Sequence, residues 1–160
     1  MNELSKPIRN TDDEAKKLII EALEGQNTYG FDIDSMFYIK SEDRWVVIEF
    51  LKTNHKFVRP STSHPNRYWH KNWRKFVTLW RLVEALGNAE LYLVNYEDET
   101  HALSQGRSDR EFRIIKVVNV IPGEKGRLEE DEAFKERYAR ISFEEFKRWY
   151  QSLNERAGAL

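Results

Sequence analysis

The sequence contains no cysteine in its 160 residues. This absence excludes disulfides, thiolate nucleophiles and metal sites built on sulfur, so any metal ion would be held by carboxylate, carbonyl or imidazole groups. The chain also lacks an apolar run of the ~20 residues that a membrane span needs. Residues 1–10 have no apolar stretch typical of a signal peptide. We therefore expect a cytoplasmic protein that has no contact with membranes.

No low-complexity tract and no internal repeat is present. Apolar residues make up 40% of the chain, aromatic residues 13% and charged residues 33%, which is a composition typical of a globular protein with a substantial core. One core usually serves about 100–200 residues. The length therefore predicts a single domain over residues 1–160.

We expect a basic loop and helix over residues 52–86. No acidic residue occurs in its first part, residues 52–81. This stretch holds eight Lys or Arg residues and three of the four histidines, interleaved with aromatic residues. Cations and aromatic rings together favour nucleic acid as the partner, by phosphate pairing and base stacking. A solvated helix face is the alternative. The candidate nucleic-acid-binding residues are His64, Arg67, His70, Lys71, Arg74 and Lys75.

Hydrophobic periodicity and capping signals predict an α/β fold with a mixed central sheet flanked by helices, in the order α-β-β-α-β-β-α. A capping box at 11–14 opens the first helix, and another at 142–145 opens the last. Between them we predict a hairpin of strands 35–40 and 45–51, a long loop at 53–71, a helix at 72–86, strands at 90–96 and 112–121, and an acidic mobile surface segment at 124–136. The strand, helix, strand order around 72–86 makes strands 45–51 and 90–96 parallel.

Glu49 interrupts a strand that is apolar on both faces. A buried carboxylate is costly unless it is neutralised, paired or bound to a cation. Asp34 precedes the partner strand of the hairpin, so the two carboxylates are expected to approach each other. Such a pair suits Mg²⁺ or Mn²⁺. Lys52 follows closely and could orient a water or stabilise charge on a phosphate.

The set of Asp34 and the segment Glu49-Phe-Leu-Lys52 resembles the PD-(D/E)xK nucleases, the restriction-endonuclease-like superfamily. The resemblance covers residues 11–96. It implies that Asp34 and Glu49 are metal ligands and that Asp34, Glu49 and Lys52 are catalytic. It also implies hydrolysis of DNA or RNA phosphodiesters with one or two divalent ions.

The spacing departs from that pattern at the lysine. The family places one residue between its second acid and its lysine, whereas this chain has two, and Leu51 stands where the lysine would be. Side chains alternate along a regular strand, so Glu49 and Lys52 would point to opposite faces. We therefore predict a β-bulge or a strand end near residues 50–51. The alternative is a regular strand in which Leu51 packs in the usual place of the lysine; either Lys75 or Lys40 then supplies the ammonium, or the protein is not a nuclease.

Three functions stay open at this point. The first is a metal-dependent nuclease that uses Mg²⁺ or Mn²⁺, with DNA preferred over RNA as the expected substrate. The second is a catalytically silent nucleic-acid-binding or assembly module on the same fold. The third is an adaptor whose basic block meets an acidic protein. The sequence leaves the oligomeric state open and allows a homodimer.

Overall fold

The computed structural model of the protein describes residues 14–159. Its helices are α1 (Glu14–Leu23), α2 (Trp69–Leu86), α3 (Glu99–Ser104), α4 (Glu132–Tyr138) and α5 (Phe143–Gly158). Its strands are β1 (Ser35–Ile39), β2 (Arg44–Lys52), β3 (Ala89–Tyr96), β4 (Glu111–Ile121), β5 (Arg127–Glu130) and β6 (Ile141–Ser142). The chain divides between residues 32 and 33 into two compact units, of which the structure describes residues 14–32 and 33–159.

The unit of residues 1–32 contains α1. The helix lies where the apolar spacing predicts it and ends before Glu24 and Gly25, which both have positive φ angles. This left-handed backbone is a common helix stop. The predicted capping residue Thr11 lies outside the described residues. No residue of α1 is buried.

The unit of residues 33–160 is built on a mixed sheet. The strand order is β1-β2-β3-β4-β5, and β6 pairs with β4 at one end. The pair β2 and β3 is parallel, whereas β1 with β2, β3 with β4, and β4 with β5 are antiparallel. The predicted hairpin and the predicted parallel pair are thus confirmed. The predicted mixed α/β architecture is confirmed as well.

Both faces of the sheet are covered by helices. On one face α2 packs through Phe76, Leu79 and Val83 against inward-facing residues of β2, β3 and β4. On the other face, α5 and α4 pack aromatic side chains, among them Phe146 and Trp149, against the residues of β2, β3 and β4 whose side chains point to that face. Strand β2 contributes to both layers because residues of both parities are apolar, as the sequence predicted. Its polar exception, Glu49, is therefore buried.

The connection from β2 to α2 is more regular than predicted. Short 3-10 turns occupy Pro60–Thr62 and Pro65–Tyr68, each with a buried proline, and α2 begins at Trp69 instead of residue 72. Proline fixes its own φ angle near the value that opens a helical turn. The irregular part of the connection is therefore short, and each of the two turns contacts the sheet before α2 begins.

The prediction of a mobile surface segment at 124–136 is wrong. The structure forms β5 and the start of α4 within it, and Leu128 is only 2% exposed. Glu130 is held by Arg113, whose Nη2 lies 2.9 Å from Oε1. Because the segment is highly charged, its sequence did not indicate that Leu128 belongs to the core or that Glu130 forms a buried ion pair with Arg113. The polar stretch 97–110 likewise contains a helix, α3, that the sequence did not predict.

No helix among residues 14–159 combines the length and the apolar character that crossing a bilayer requires.

Candidate active site

Glu49 lies near the carboxyl end of β2, on the face that α2 covers. It is only 2% exposed. Lys75 of α2 places its Nζ 2.5 Å from Glu49 Oε1. The other oxygen, Oε2, is buried and receives no donor from residues 14–159, and the Asp34 carboxyl is close enough to share a proton with Glu49. A buried carboxylate oxygen without a donor is unusual and costly, so this position favours either a proton on Glu49 or a further positive group.

Asp34 lies beside Glu49. The antiparallel register of β1 and β2 pairs Ser35 with Ile48, so Asp34 faces Glu49 one step further along the ladder. The Phe50 amide donates a 2.9 Å hydrogen bond to Asp34 Oδ2, which fixes the carboxylate against the strand. The hairpin therefore brings together the two acids that the sequence singled out.

Burial is the main reason that the pKa of Glu49 is raised, to about 7. The Lys75 ammonium acts in the opposite direction, but the neighbouring Asp34 charge raises the pKa further. Near neutral pH the group is therefore poised between its two protonation states. This is the electrostatic pattern of a carboxylate pair that binds a cation, although structural ion-pair networks can also produce it.

The predicted bulge in β2 is absent. The pairing of β2 with β3 is continuous from Trp45 to Lys52, with no shift in register. Lys52 therefore points away from Glu49, and its Nζ lies 3.2 Å from Asp98 Oδ2. The alternative prediction, a regular strand with Lys75 as the ammonium near Glu49, matches the geometry. Residues 50–51 are paired in unbroken register with Val94 and Asn95 of β3, and a bulge there would disrupt this ladder.

A cleft of about 410 Å³ opens over Glu49. It lies between the ends of β2 and β3, the first turns of α2 and the loop that follows β2. Lys71 and Lys75, one helical turn apart, both line it. The cleft therefore joins the buried carboxylate to part of the basic stretch.

The other predicted nucleic-acid-binding residues differ in their surroundings. His70, Lys71 and Arg74 are exposed on α2, and the Arg74 guanidinium lies over the Trp73 ring. His64 is bound on both nitrogens, since Nδ1 accepts from Asn66 N and Nε2 lies 3.1 Å from Glu130 Oε2. Arg67 donates to Thr62 O. The α2 cations are thus available to a ligand, whereas His64 is engaged in holding the loop.

Sequence reasoning missed the residues that support the cleft from behind. Asn95 is 2% exposed, and its Nδ2 donates to Pro60 O at 3.1 Å and also to Ser63 O. Glu97 is fully buried and binds Arg107 and His101. Asn95 is a polar residue inside the apolar run of β3, which is the same signal that identified Glu49 in β2.

The residues present fit a magnesium-type ion. Among residues 14–159 no three His, Asp or Glu side chains form a complete ligand cluster. Magnesium, however, is usually held by one or two carboxylates and completes its shell with water and substrate phosphate. Asp34 and the unpartnered Oε2 of Glu49 supply that minimal set of oxygens.

Glu49→Gln is expected to stabilise the metal-free protein at pH 8 by about 3 kcal/mol. The raised pKa means that folding favours neutral Glu49, so its favourable contribution is complete below pH 4.5 and is lost as pH rises through about 7. Glutamine stays neutral throughout. Urea unfolding in EDTA at pH 4.5 and pH 8 would measure the difference.

Glu84→Gln, at an exposed position of α2, serves as the matched control and should leave stability unchanged at both pH values. If Glu49→Gln instead destabilises the protein at pH 8, the ion pair with Lys75 is structural and the ionised Glu49 carboxylate stabilises the fold.

Comparison with known proteins adds no assignment, since no family model, curated protein or solved structure matches the chain.

Proposed function

We propose that the protein is a metal-dependent nuclease that hydrolyses phosphodiester bonds of nucleic acid. One observation carries this proposal. A nearly fully buried carboxylate, Glu49, has one oxygen on the Lys75 ammonium and the other without a donor from the described residues, beside the carboxylate of Asp34. Glu49 and Lys75 line the cleft, and Asp34 stands beside Glu49 on the neighbouring strand end; two acids and one lysine form the minimal set for metal-assisted phosphoryl chemistry.

Each side chain has a distinct role in this proposal. Asp34 and Glu49 would hold Mg²⁺ or Mn²⁺. The ion would supply Lewis-acid polarisation of the phosphodiester and a more acidic water. Lys75 is placed to donate from Nζ to an oxygen on which negative charge develops, or to orient the attacking water. Lys52 has no part in the chemistry, because its ammonium is bound to Asp98 on the other side of the strand.

The arrangement of elements supports a restriction-endonuclease-like fold within the observed α/β class. A hairpin carries the two acids, and a helix crosses back to a strand that is parallel to β2. In the resembling PD-(D/E)xK pattern the lysine comes from the strand. Here the corresponding position is Leu51, and α2 brings Lys75 to the carboxylate instead.

Nucleic acid is the expected substrate because of the charge around the cleft. His70, Lys71 and Arg74 are exposed on the first turns of α2. The stretch from Lys52 to Arg81 contains no Asp or Glu to neutralise them. Cations without nearby acids bind polyanions through release of counterions from the phosphates. A DNA strand is the expected ligand, with RNA as the second choice.

The proposal predicts that both metal binding and cleavage depend on the negative charge of Glu49. Wild-type protein should bind Mg²⁺ or Mn²⁺ in a calorimetric titration at pH 8 and cleave DNA in its presence. Glu49→Gln should abolish both, since it removes a ligand charge while keeping the shape of the side chain. Glu84→Gln is the matched control and should behave as wild type.

The outcomes separate the alternatives. DNA affinity that falls steeply with salt, without cleavage and without an effect of Glu49→Gln on binding, identifies a silent nucleic-acid-binding module. An absence of DNA binding at low salt contradicts both functions and leaves an adaptor for an acidic protein.

A further inference from the structure

The loop that follows β2 forms a fixed wall over Glu49. His101 Nε2 lies 2.9 Å from His55 O, and Gln105 Nε2 donates to Lys56 O at 3.0 Å and to Val58 O at 3.2 Å. Helix α3 therefore holds the first half of the loop by three backbone carbonyls. Such contacts leave the cleft a defined shape before any ligand enters.

The second half of the loop is anchored on the sheet. Besides the bonds from Asn95, Arg113 Nη1 donates to Ser61 O at 3.0 Å, and the Ser61 amide donates to Glu111 Oε2 at 2.9 Å. Pro60 and Pro65 are buried. A wall held from β3, β4 and α3 does not swing aside easily, because moving it would leave several buried polar groups without partners.

The cleft behind this wall has two kinds of lining. Its lysine ammonium groups are those of Lys71 and Lys75, and its apolar and aromatic surface comes from Leu51, Val58, Pro65, Tyr68 and Phe76. A volume of about 410 Å³ lies in the ~300–1,000 Å³ range of small-ligand sites. Cations beside a flat aromatic ring, in a space of this size, suit a single nucleotide with its phosphate and base.

Glu49 lies at the floor of the cleft with 2% exposure, so a phosphodiester must enter the cleft to reach it. A nucleotide within a duplex can do so only by unpairing and unstacking, which costs a few kcal/mol. Resting on the proposed nuclease function, we propose that the cleft receives an unpaired nucleotide of a single strand, with its base on Tyr68 and its phosphate at Lys71 and Lys75. Single-stranded nucleic acid is thus the substrate class.

Binding tests this independently of cleavage. The wild-type protein in EDTA is titrated into a fluorescent 15-residue oligothymidine and into a closed dumbbell duplex whose two end loops are abasic spacers, so that it has no unpaired bases. We expect the single strand to bind at least about tenfold more tightly at equal salt. Tyr68→Ala should lower single-strand affinity at least about fivefold, in line with the ~1–3 kcal/mol of one base stack.

Two controls separate stacking from structural damage. Tyr68→Phe keeps the ring and should keep the affinity. Tyr38→Ala removes an aromatic ring at the hairpin end, far from the cleft along β2, and should change nothing. Equal or tighter binding of the dumbbell, with Mg²⁺-dependent cleavage of it, overturns the inference while the nuclease function stands. Tyr68-dependent single-strand binding without any cleavage supports the inference and contradicts the nuclease. Binding of neither ligand overturns both.

Discussion

Lys75→Ala is expected to lower the rate of Mg²⁺-dependent cleavage by about 100-fold or more, and Lys52→Ala by less than about fivefold. Lys75 Nζ lies 2.5 Å from Glu49 at the floor of the cleft, where removal of one fixed charge-stabilising donor typically costs ~10²–10³ in rate. Lys52 forms an exposed ion pair with Asp98, and such pairs are worth under ~1 kcal/mol. Single-turnover cleavage would measure both effects.

Arg81→Ala is the control for a cation on the same helix, because Arg81 is exposed and does not line the cleft. It should change salt-dependent binding slightly and leave the single-turnover rate intact. The assignment of the lysine is wrong if Lys52→Ala shows the large loss and Lys75→Ala the small one.

Metal binding gives a second readout that does not depend on activity. The Lys75 ammonium is the largest influence that lowers the pKa of Glu49, after burial has raised it. A divalent ion and this ammonium therefore compete for the same negative charge. At a pH high enough to ionise Glu49 in both proteins, Lys75→Ala should keep or increase the affinity for Mg²⁺, whereas loss of a ligand such as Glu49 abolishes it. The two substitutions thus have opposite effects on binding and the same effect on cleavage.

Local sequence patterns predicted the two acids because each depends on short-range rules. Strand β2 has apolar side chains on both faces of the sheet, so Glu49 stood out as a charged residue in a buried strand. The predicted hairpin then placed Asp34 opposite it. Both inferences need only strand alternation and antiparallel pairing. The structure confirms the pairing and the burial that they predicted.

The lysine near Glu49 could not be predicted in the same way, because the two possible arrangements, with Lys52 or with Lys75, differ only in long-range packing. A bulge in β2 and a regular strand with Lys75 across the cleft satisfy the same local sequence. The choice depends on the continuous pairing of β2 with β3 through Lys52 and on the position at which α2 crosses the strand. The loop was misjudged for the same reason, since its anchors Asn95 and Glu97 come from distant elements.

Glu97→Ala is expected to destabilise the protein by ~3–5 kcal/mol, the usual effect of removing one partner of a buried charge network. Glu97 is fully buried, and its carboxylate accepts hydrogen bonds from Arg107, from His101 Nδ1 and from the Glu111 amide at 2.7 Å. The substitution leaves a guanidinium and an imidazole without their anion. Urea unfolding at pH 7 would measure the loss, with Glu99→Ala at an exposed position of α3 as the control.

The pH dependence identifies the source of this loss. Burial alone would raise the pKa of Glu97, but the hydrogen bonds from Arg107, Glu111 and His101 outweigh it and hold the pKa below the ordinary value. A carboxyl with a lowered pKa stabilises the fold above its unfolded pKa, and this contribution is lost as pH falls through the folded value. Wild type and Glu97→Ala should therefore approach each other in acid. A difference that stays constant down to pH 2 would mean that packing, and not charge, is the cause.

The same substitution should also loosen the wall of the candidate site. His101 is oriented by Glu97 on one nitrogen and holds His55 O with the other. Loss of the anion frees the imidazole to turn, so the first half of the loop loses one of its anchors from α3. Amide hydrogen exchange of residues 55–58 should then accelerate, while exchange in β3 rises only in proportion to global stability. Unchanged protection of residues 55–58 would show that Gln105 alone is sufficient to hold the loop.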